Sequence, residues 1–259
     1  MSTLSHVSRE HRDSLAQLFA SHPPCGLRGL MLAVLEGHLG EAFADDVEAP
    51  RIAELSFAGV HFYGGDAAHP LARAIVARLP VDQVVAASTP PWRALLDTAY
   101  GPRLLALPAT DYHAHSLARA HLERLAARLP AGYDLRRMDL ELARRVEAEL
   151  QTEDHVHFFG SPEYFIERGV GFCVLHAGRI VSAASSGAFH DAGIEVQINT
   201  LPEHRGRGLA TVVAAHLLLY CLERGLDPHW CTSNPISAHL AENLGYTRGE
   251  PFELLVRTG

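Results

Sequence analysis

The chain contains no lysine: all 22 basic residues among its 259 are arginine. That excludes a lysine Schiff base, a lysine general base and the lysine of a P-loop. Cysteine is scarce. Cys25, Cys173, Cys221 and Cys231 are scattered, with no C-x-x-C pair, so neither a zinc ribbon nor a thioredoxin-type redox site is suggested. Isolated cysteines in apolar surroundings are usually inert core residues. No run reaches the roughly 18 apolar residues of a membrane span. The stretch MSTLSHVSREHRDSLAQLF is charged early, unlike a signal peptide. The net charge of −8 is the wrong sign for nucleic acid as a main partner, because phosphate contacts need a basic surface. The expectation is a soluble chain in a reducing, cytoplasmic setting, with no nucleic-acid and no membrane partner. Oligomeric state stays open.

Apolar residues make up 47% of the chain, enough for a true core. The length fits one large domain or two small ones. The first fifty residues read as helices, with EHRDSLAQLFA and LRGLMLAVLEGHL carrying apolar residues at three- and four-residue spacing. RIAELSFAGVHFYGG reads as strand material with a turn near Gly59. HPLARAIVARL is helical, DQVVAAS a short strand, and Pro90 and Pro91 open the helix WRALLDTAY. PRLLALPA is another strand, DYHAH a loop and helix cap, and HSLARAHLERLAARL a long amphipathic helix. Pro130 to Asp134 breaks the pattern and suggests a domain boundary, giving an N-terminal α/β domain over 1–130 and a second domain over 131–259. There, YDLRRMD is a strand, LELARRVEAEL a helix and SPEYFIERG a helix opened by Ser-Pro. The strands VGFCVLHA, RIVSAASSG and GIEVQINT follow, the first two joined as a hairpin by HAGR. After LPEHRGRG come an apolar helix, the strand DPHWCTS, the helix NPISAHLAENLG and a last strand region. The expected class is α/β or α+β around a mixed sheet.

The loop LPEHRGRGLA joins the strand GIEVQINT to a helix expected to begin near Gly206. The strand alternates, with Ile194, Val196 and Ile198 on one face and Glu195, Gln197 and Asn199 on the other. The first turn of a helix has unpaired N–H groups and the positive end of the dipole. Glycine there lets an anion approach the backbone, and arginine adds a positive field. Two readings stand: a phosphate or pyrophosphate cradle, and a plain strand-to-helix turn. A dinucleotide fingerprint fails because Thr211 takes the third glycine position.

Arg205-x-x-Gly208-x-Ala210 resembles the Q/R-x-x-G-x-G/A signature of the GNAT acyltransferase superfamily. The context is similar too: a strand before, an apolar helix after, a strand ending at Asn234, and a helix closing on Gly245-Tyr246. The likeness runs from about Tyr133 to Val256. More narrowly, RIVSAASSG…GIEVQINTLPEHRGRGLATVVAA and CLERGLDPHWCTSNPISAHLAENLGY look like the bacterial subgroup that includes zwittermicin A resistance proteins. Members of that subgroup carry an extra N-terminal half, here resembling a reduced copy of the same fold. The resemblance implies acetyl-CoA as cofactor and CoA as product, with no metal. Carried over by position, the N–H groups of Arg205, Gly206, Arg207, Gly208, Leu209, Ala210 and Thr211 would cradle the pyrophosphate. The backbone of Ile198, Asn199 and Thr200 would pair with the pantetheine arm, and the next strand would splay away. Asn234 would flank the thioester.

Acetyl transfer to an amine needs the amine neutral, its proton removed and the developing oxyanion stabilised. Glu195 is the candidate base, against a structural carboxylate as the other reading. Many members of the superfamily carry a tyrosine four residues before the Gly-aromatic pair. Here that position is Ala241, which leaves Ser237 or His239 as substitutes, or water. Ser237 also suits a helix N-terminus beside the cofactor. In EDHVHFF, His155, His157 and Phe158 are candidate acceptor contacts; a metal site there finds no second paired ligand motif. The helix ATVVAAHLLLYCLERG is apolar nearly all round, so something besides the sheet must cover it: the N-terminal half or a partner subunit. The leading function is an acetyl-CoA-dependent N-acetyltransferase in which a small amine attacks the thioester directly, since no cysteine has a nucleophile's setting. The alternative is a non-catalytic acyl-CoA sensor. An aminoacyl-transferase using charged tRNA fits neither the acidic chain nor the intact loop.

Overall fold

The computed structural model describes residues 4–22, 27–86 and 88–259, and Cys25 lies outside them. The chain forms two compact units, Met1–Asp111 with Glu250–Gly259, and Tyr112–Gly249.

In the first unit, strands β1 (Ser5–His6), β2 (Glu41–Ala44), β3 (Ile52–Phe57) and β4 (Val60–Gly65) pair antiparallel in that order. The β3–β4 turn holds Ala58 and Gly59 at φ +52° and +77°, the left-handed pair a two-residue hairpin requires. β5 (Val84–Val85) joins β4 in parallel, and β12 (Thr247–Arg257) brings Leu255 and Val256 antiparallel to β5. β6 (Leu104–His113) lies beyond β12. Helices α1 (Ala16–Phe19), α2 (Arg28–Leu35), α3 (Ala72–Ala77) and α4 (Pro90–Tyr100) complete the unit. α4 opens on Pro90 and Pro91, where missing N–H groups cost nothing. Tyr63, Ile75, Trp92, Leu96 and Leu255 meet in one buried cluster. Arg12 is buried too, and its guanidinium donates to the carbonyls of Val7, Val34, Leu39 and Gly40, tying the segment before α1 to the end of α2.

Two elements here depart from the sequence expectation. The first fifty residues hold β1 and β2 as well as helices. β2 is four residues of Glu, Ala and Phe, too short and too alanine-rich to read as strand, although Ala42 and Ala44 do alternate inward. β6 runs through Asp111 to His113, where a loop and cap were expected, and a short 3-10 turn at Ala114–Ser116 follows.

The second unit begins with α5 (Arg119–Ala126), then β7 (Tyr133–Arg137), α6 (Leu140–Leu150), α7 (Pro162–Arg168), β8 (Gly171–His176), β9 (Arg179–His190) and β10 (Gly193–Thr200). α8 (Leu209–Arg224), β11 (Asp227–Thr232) and α9 (Pro235–Leu244) follow. Its sheet runs β11-β10-β9-β8-β7, antiparallel from β10 to β7. The HAGR turn is a tight hairpin, with Ala177 at φ +49° and Gly178 at +80°. Asp139 and Ser161 cap α6 and α7 by accepting from the N–H groups of Leu142 and Tyr164.

The second cover of α8 is α5. Leu122 and Leu125 pack in one cluster with Ala214, Ala215 and Leu218. So α5 packs with residues that follow it, and the two compact units divide at 111/112. The Pro130 break is a loop within the second unit: Pro and Gly mark a turn but do not say which side its helix packs on. Leu218 is fully buried at this seam. We expect Leu218→Ala to cost about 2–5 kcal/mol, read as a lower urea midpoint; a change under about 0.5 kcal/mol would show that the helices do not pack there.

Candidate active site

β10 carries the geometry. Along one side it pairs with β9 over its whole length, from Gly193 opposite His190 to Thr200 opposite Ser182. Along the other it pairs in parallel with β11 only at Gly193, Ile194 and Glu195, opposite Asp227, Pro228 and His229. From Val196 to Thr200 the strand has no partner on that side among the described residues, so β10 and β11 part after Glu195. A register shift against β9 falls at the same point, between Glu195 and Val196. Such bulges bend a strand and increase its twist. Gly193 is needed where the strands are still joined, because a Cβ there would lie 2.2 Å from the carbonyl oxygen of Asp227.

The loop beyond β10 makes one 3-10 turn at Pro202–His204 and then turns through Gly206 (φ +73°) and Gly208 (φ +79°). α8 begins at Leu209, three residues later than the sequence suggests, because Gly208 itself is left-handed and outside the helix. The space around both glycines is open, with nothing within 4 Å of an added Cβ. Residues 205–208 are exposed, and the N–H groups of Gly206 to Thr211 have no acceptor among the described residues. Leu209 is buried and anchors the first turn, while Ala210 and Thr211 are half-buried. A row of unpaired donors at the positive end of a 16-residue helix, beside Arg205 and Arg207, fits a phosphate. Arg205 is steadied from below: its Nε donates to the Thr200 carbonyl at 3.1 Å.

α9 starts where β11 ends. Asn234 caps it, Oδ1 accepting from the Ile236 N–H at 2.9 Å, while its own N–H donates to Thr232 Oγ1. Ser237 sits in the first turn, and its Oγ accepts from Trp230 Nε1 at 3.2 Å. The hydroxyl hydrogen of Ser237 remains to be donated. Ala241 lies one turn further along and is fully buried in the core, where it offers no donor. Tyr246 is sealed in as well: its hydroxyl donates to the Pro228 carbonyl, and burial first, then nearby acidic groups, push its pKa well above the usual value. Burial likewise pushes the thiols of Cys173 and Cys221 up to about 12, so neither is a nucleophile.

Beyond the bulge, Val196 and Ile198 pack toward the α8 cluster. Gln197 Nε2 donates to Asp154 Oδ2, and Asn199 Nδ2 donates to Thr152 Oγ1, each at 3.3 Å. Thr152 Oγ1 in turn donates to Asp154 at 2.6 Å. Glu147 holds the same segment by accepting from the N–H groups of Val156 and His157. Glu195 stands at the parting point; it is half-buried, with Oε2 shielded from solvent.

The three expected acceptor contacts are not brought together. His157 is exposed and lies edge-on to the half-buried Phe158, ring centroids 5.4 Å apart. His155 points inward, 1% exposed, with Nδ1 2.7 Å from Ser185 Oγ. Thr152 and Ser185, and the bond from Gln197 to Asp154, escaped the sequence reading because their partners lie 47, 30 and 43 residues away, with no local pattern to join them. Burial drives the pKa of His155 down to about 4, with Asp154 opposing. The unfolded chain therefore takes up a proton below about pH 6.5 that the folded chain refuses. Stability should fall by about 3 kcal/mol between pH 6.5 and 4 from this group alone. In His155→Gln, urea midpoints should drop less across that window; parallel curves would assign the acid sensitivity to other groups.

The sequence profile of the GNAT acetyltransferase family matches residues 19–255. An uncharacterized N-acetyltransferase of Bacillus subtilis (strain 168), YdfB, is 26% identical over 261 residues, covering 95% of both chains. Among solved structures, a GCN5-related N-acetyltransferase-like protein from Streptococcus suis 89/1591 superposes with a TM-score of 0.80 at 29% identity, over 95% of this chain and 98% of that one. A tandem GNAT protein from the clavulanic acid biosynthesis pathway shares the fold at 15% identity and a TM-score of 0.58, over 98% and 97% of the two chains. No helix among the described residues is long and apolar enough to cross a membrane. With the parted strands, the glycine turn and this match over nearly the whole chain, the protein belongs to the GNAT acetyltransferase family and is an N-acetyltransferase.

Proposed function

We propose that the protein moves an acetyl group from acetyl-CoA to a small amine, by direct attack and without a covalent enzyme intermediate. The observation that carries this reading is the row of unpaired N–H groups from Gly206 to Thr211, set beside the unpaired edge of β10. The loop N–H groups would hold the pyrophosphate. The edge of Ile198, Asn199 and Thr200 would take the amide-bearing pantetheine arm as an added strand. Acetyl-CoA, when bound, supplies an activated acetyl carbonyl. Glu195 would then take the amine proton onto its carboxylate, directly or through a water, and the Ser237 hydroxyl would pass a proton to the leaving thiolate while taking one back from water. Asn234 keeps the first turn of α9 in place beside that hydroxyl. His157 and Phe158, at the surface, are offered as acceptor contacts, with His155 supporting them from within. No metal enters this scheme. The buried, unreactive thiols favour direct attack, and they suit a cytoplasmic setting.

The wording of residues 179–187, 193–215 and 221–246 supports a place near the bacterial subgroup that includes zwittermicin A resistance proteins. The family match begins at residue 19 and so takes in most of the N-terminal half, approximately 1–130, which we read as a reduced relative of the same fold. The test is calorimetric titration with acetyl-CoA beside dephospho-CoA and NAD, followed by a screen of amines for thiol release. Selective binding with release supports the transferase. Binding with no release from any amine favours the acyl-CoA sensor, which Ala241 would suit. Absence of binding removes the reading of the loop.

A further inference from the structure

His190 and His229 form a chain whose direction can be read. The backbone N–H of Ala192 donates to Nδ1 of His190 at 3.3 Å. An amide can only donate, so that nitrogen is bare. The ring's hydrogen is then on Nε2, which lies 3.1 Å from Nε2 of His229. His229 accepts there, and as a neutral ring it carries its own hydrogen on Nδ1. Protonating His190 would cost Ala192 its acceptor. Protonating His229 would set two N–H groups face to face. With both rings neutral, the chain therefore sets His229 in a single tautomer.

His229 is the residue opposite Glu195, at the last joined position of β10 and β11. Paired residues of neighbouring strands put their side chains on one face, with backbones about 4.8 Å apart. His190 reaches that face over Gly193, where its Nε2 would be 2.8 Å from a Cβ. We propose that His190 and His229 are positioning residues: the locked Nδ1–H of His229 donates to the Glu195 carboxylate and keeps it ionised, ready for the amine proton. This rests on the reading of Glu195 as the base. Among the described residues, the charged and titratable groups on the strands around these rings include Glu195 on β10, Asp191 after β9, Asp227 on β11, and the sealed Tyr246 hydroxyl against Pro228 of β11. Asp227 Oδ2 is 3.7 Å from His229 Nε2 and pulls toward a protonated ring. Its side chain is 57% exposed, so water and salt screen that pull.

The test needs no acceptor. Nitrogen-15 imidazole spectra of the full chain, assigned with His190→Gln and His229→Gln, report each tautomer. The expected result is His190 as Nε2–H and His229 as Nδ1–H, with the His229 midpoint falling by about half a pH unit or more in Glu195→Gln. His229 found as Nε2–H, or a midpoint unmoved in that variant, overturns the proposal. With an amine in hand, His229→Leu should shift the acid limb of kcat to higher pH at unchanged KM for acetyl-CoA; an unshifted limb also overturns it. Failure of acetyl-CoA to bind would remove the functional reading while leaving the tautomers to be read independently.

Discussion

Gly208→Asp should weaken acetyl-CoA binding roughly a thousandfold while leaving the protein folded. The backbone at Gly208 is left-handed, and aspartate is among the side chains that tolerate that region best. Nothing lies within 4 Å of the new Cβ, so no neighbour has to move. The fold should lose about 1–2 kcal/mol at most. The proposed ligand fares worse. A carboxylate about 4 Å from a phosphate charge costs about 4 kcal/mol at the effective dielectric of a protein surface, or about three orders of magnitude in affinity. Gly208→Asn adds almost the same volume without the charge, so the gap between the two variants measures electrostatics alone. Calorimetry gives the affinities and thermal melting checks the fold. If the aspartate variant binds acetyl-CoA like the unaltered protein, the loop does not hold the pyrophosphate.

Glu195→Gln should lower kcat by about 10²- to 10⁴-fold, the usual contribution of a positioned base. The Kd for acetyl-CoA should not change, because the loop and the strand edge from Ile198 to Thr200 lie beyond this residue. The loss should be deepest near neutral pH, where an aliphatic amine is almost wholly protonated. It should narrow toward about pH 10, where the amine sheds its proton unaided. Thiol release measured over that range, with the best amine from the screen, gives the profile. Equal rates for both proteins at every pH would take Glu195 out of the reaction.

The periodic parts of the chain were open to reading, and the long-range parts were not. Every helix of eight or more residues follows an apolar repeat or a cap that the sequence displays. Pro90 and Ser161 open helices as their chemistry demands, and Gly245 ends one. The parting of β10 from β11 followed from the signature at Arg205, Gly208 and Ala210, and the register bears it out. What stayed hidden depends on partners far off in sequence. α5 has a clear amphipathic face, but only the packed structure shows that this face meets α8. The four-residue β2 gains its place from β3 and from the even shorter β1, whose own residues say nothing of strand. His155 reads as a candidate acceptor contact, yet it lies buried with its Nδ1 on a serine 30 residues on. The histidine chain was equally invisible, because a tautomer is set by an amide and a strand register that no spacing encodes.

β12 has a bearing on how the protein is made. It carries residues 250–257 of a unit whose other members end at Asp111. Leu255 fills that unit's core, and the strand lies between β5 and β6. During synthesis, the unit Tyr112–Gly249 is therefore made before the first unit can close its sheet. A nascent chain halted short of residue 250 would carry residues 112–249 while a central strand of the first unit is still missing. Quality control would then meet a molecule in which β5 and β6 each expose an open strand edge.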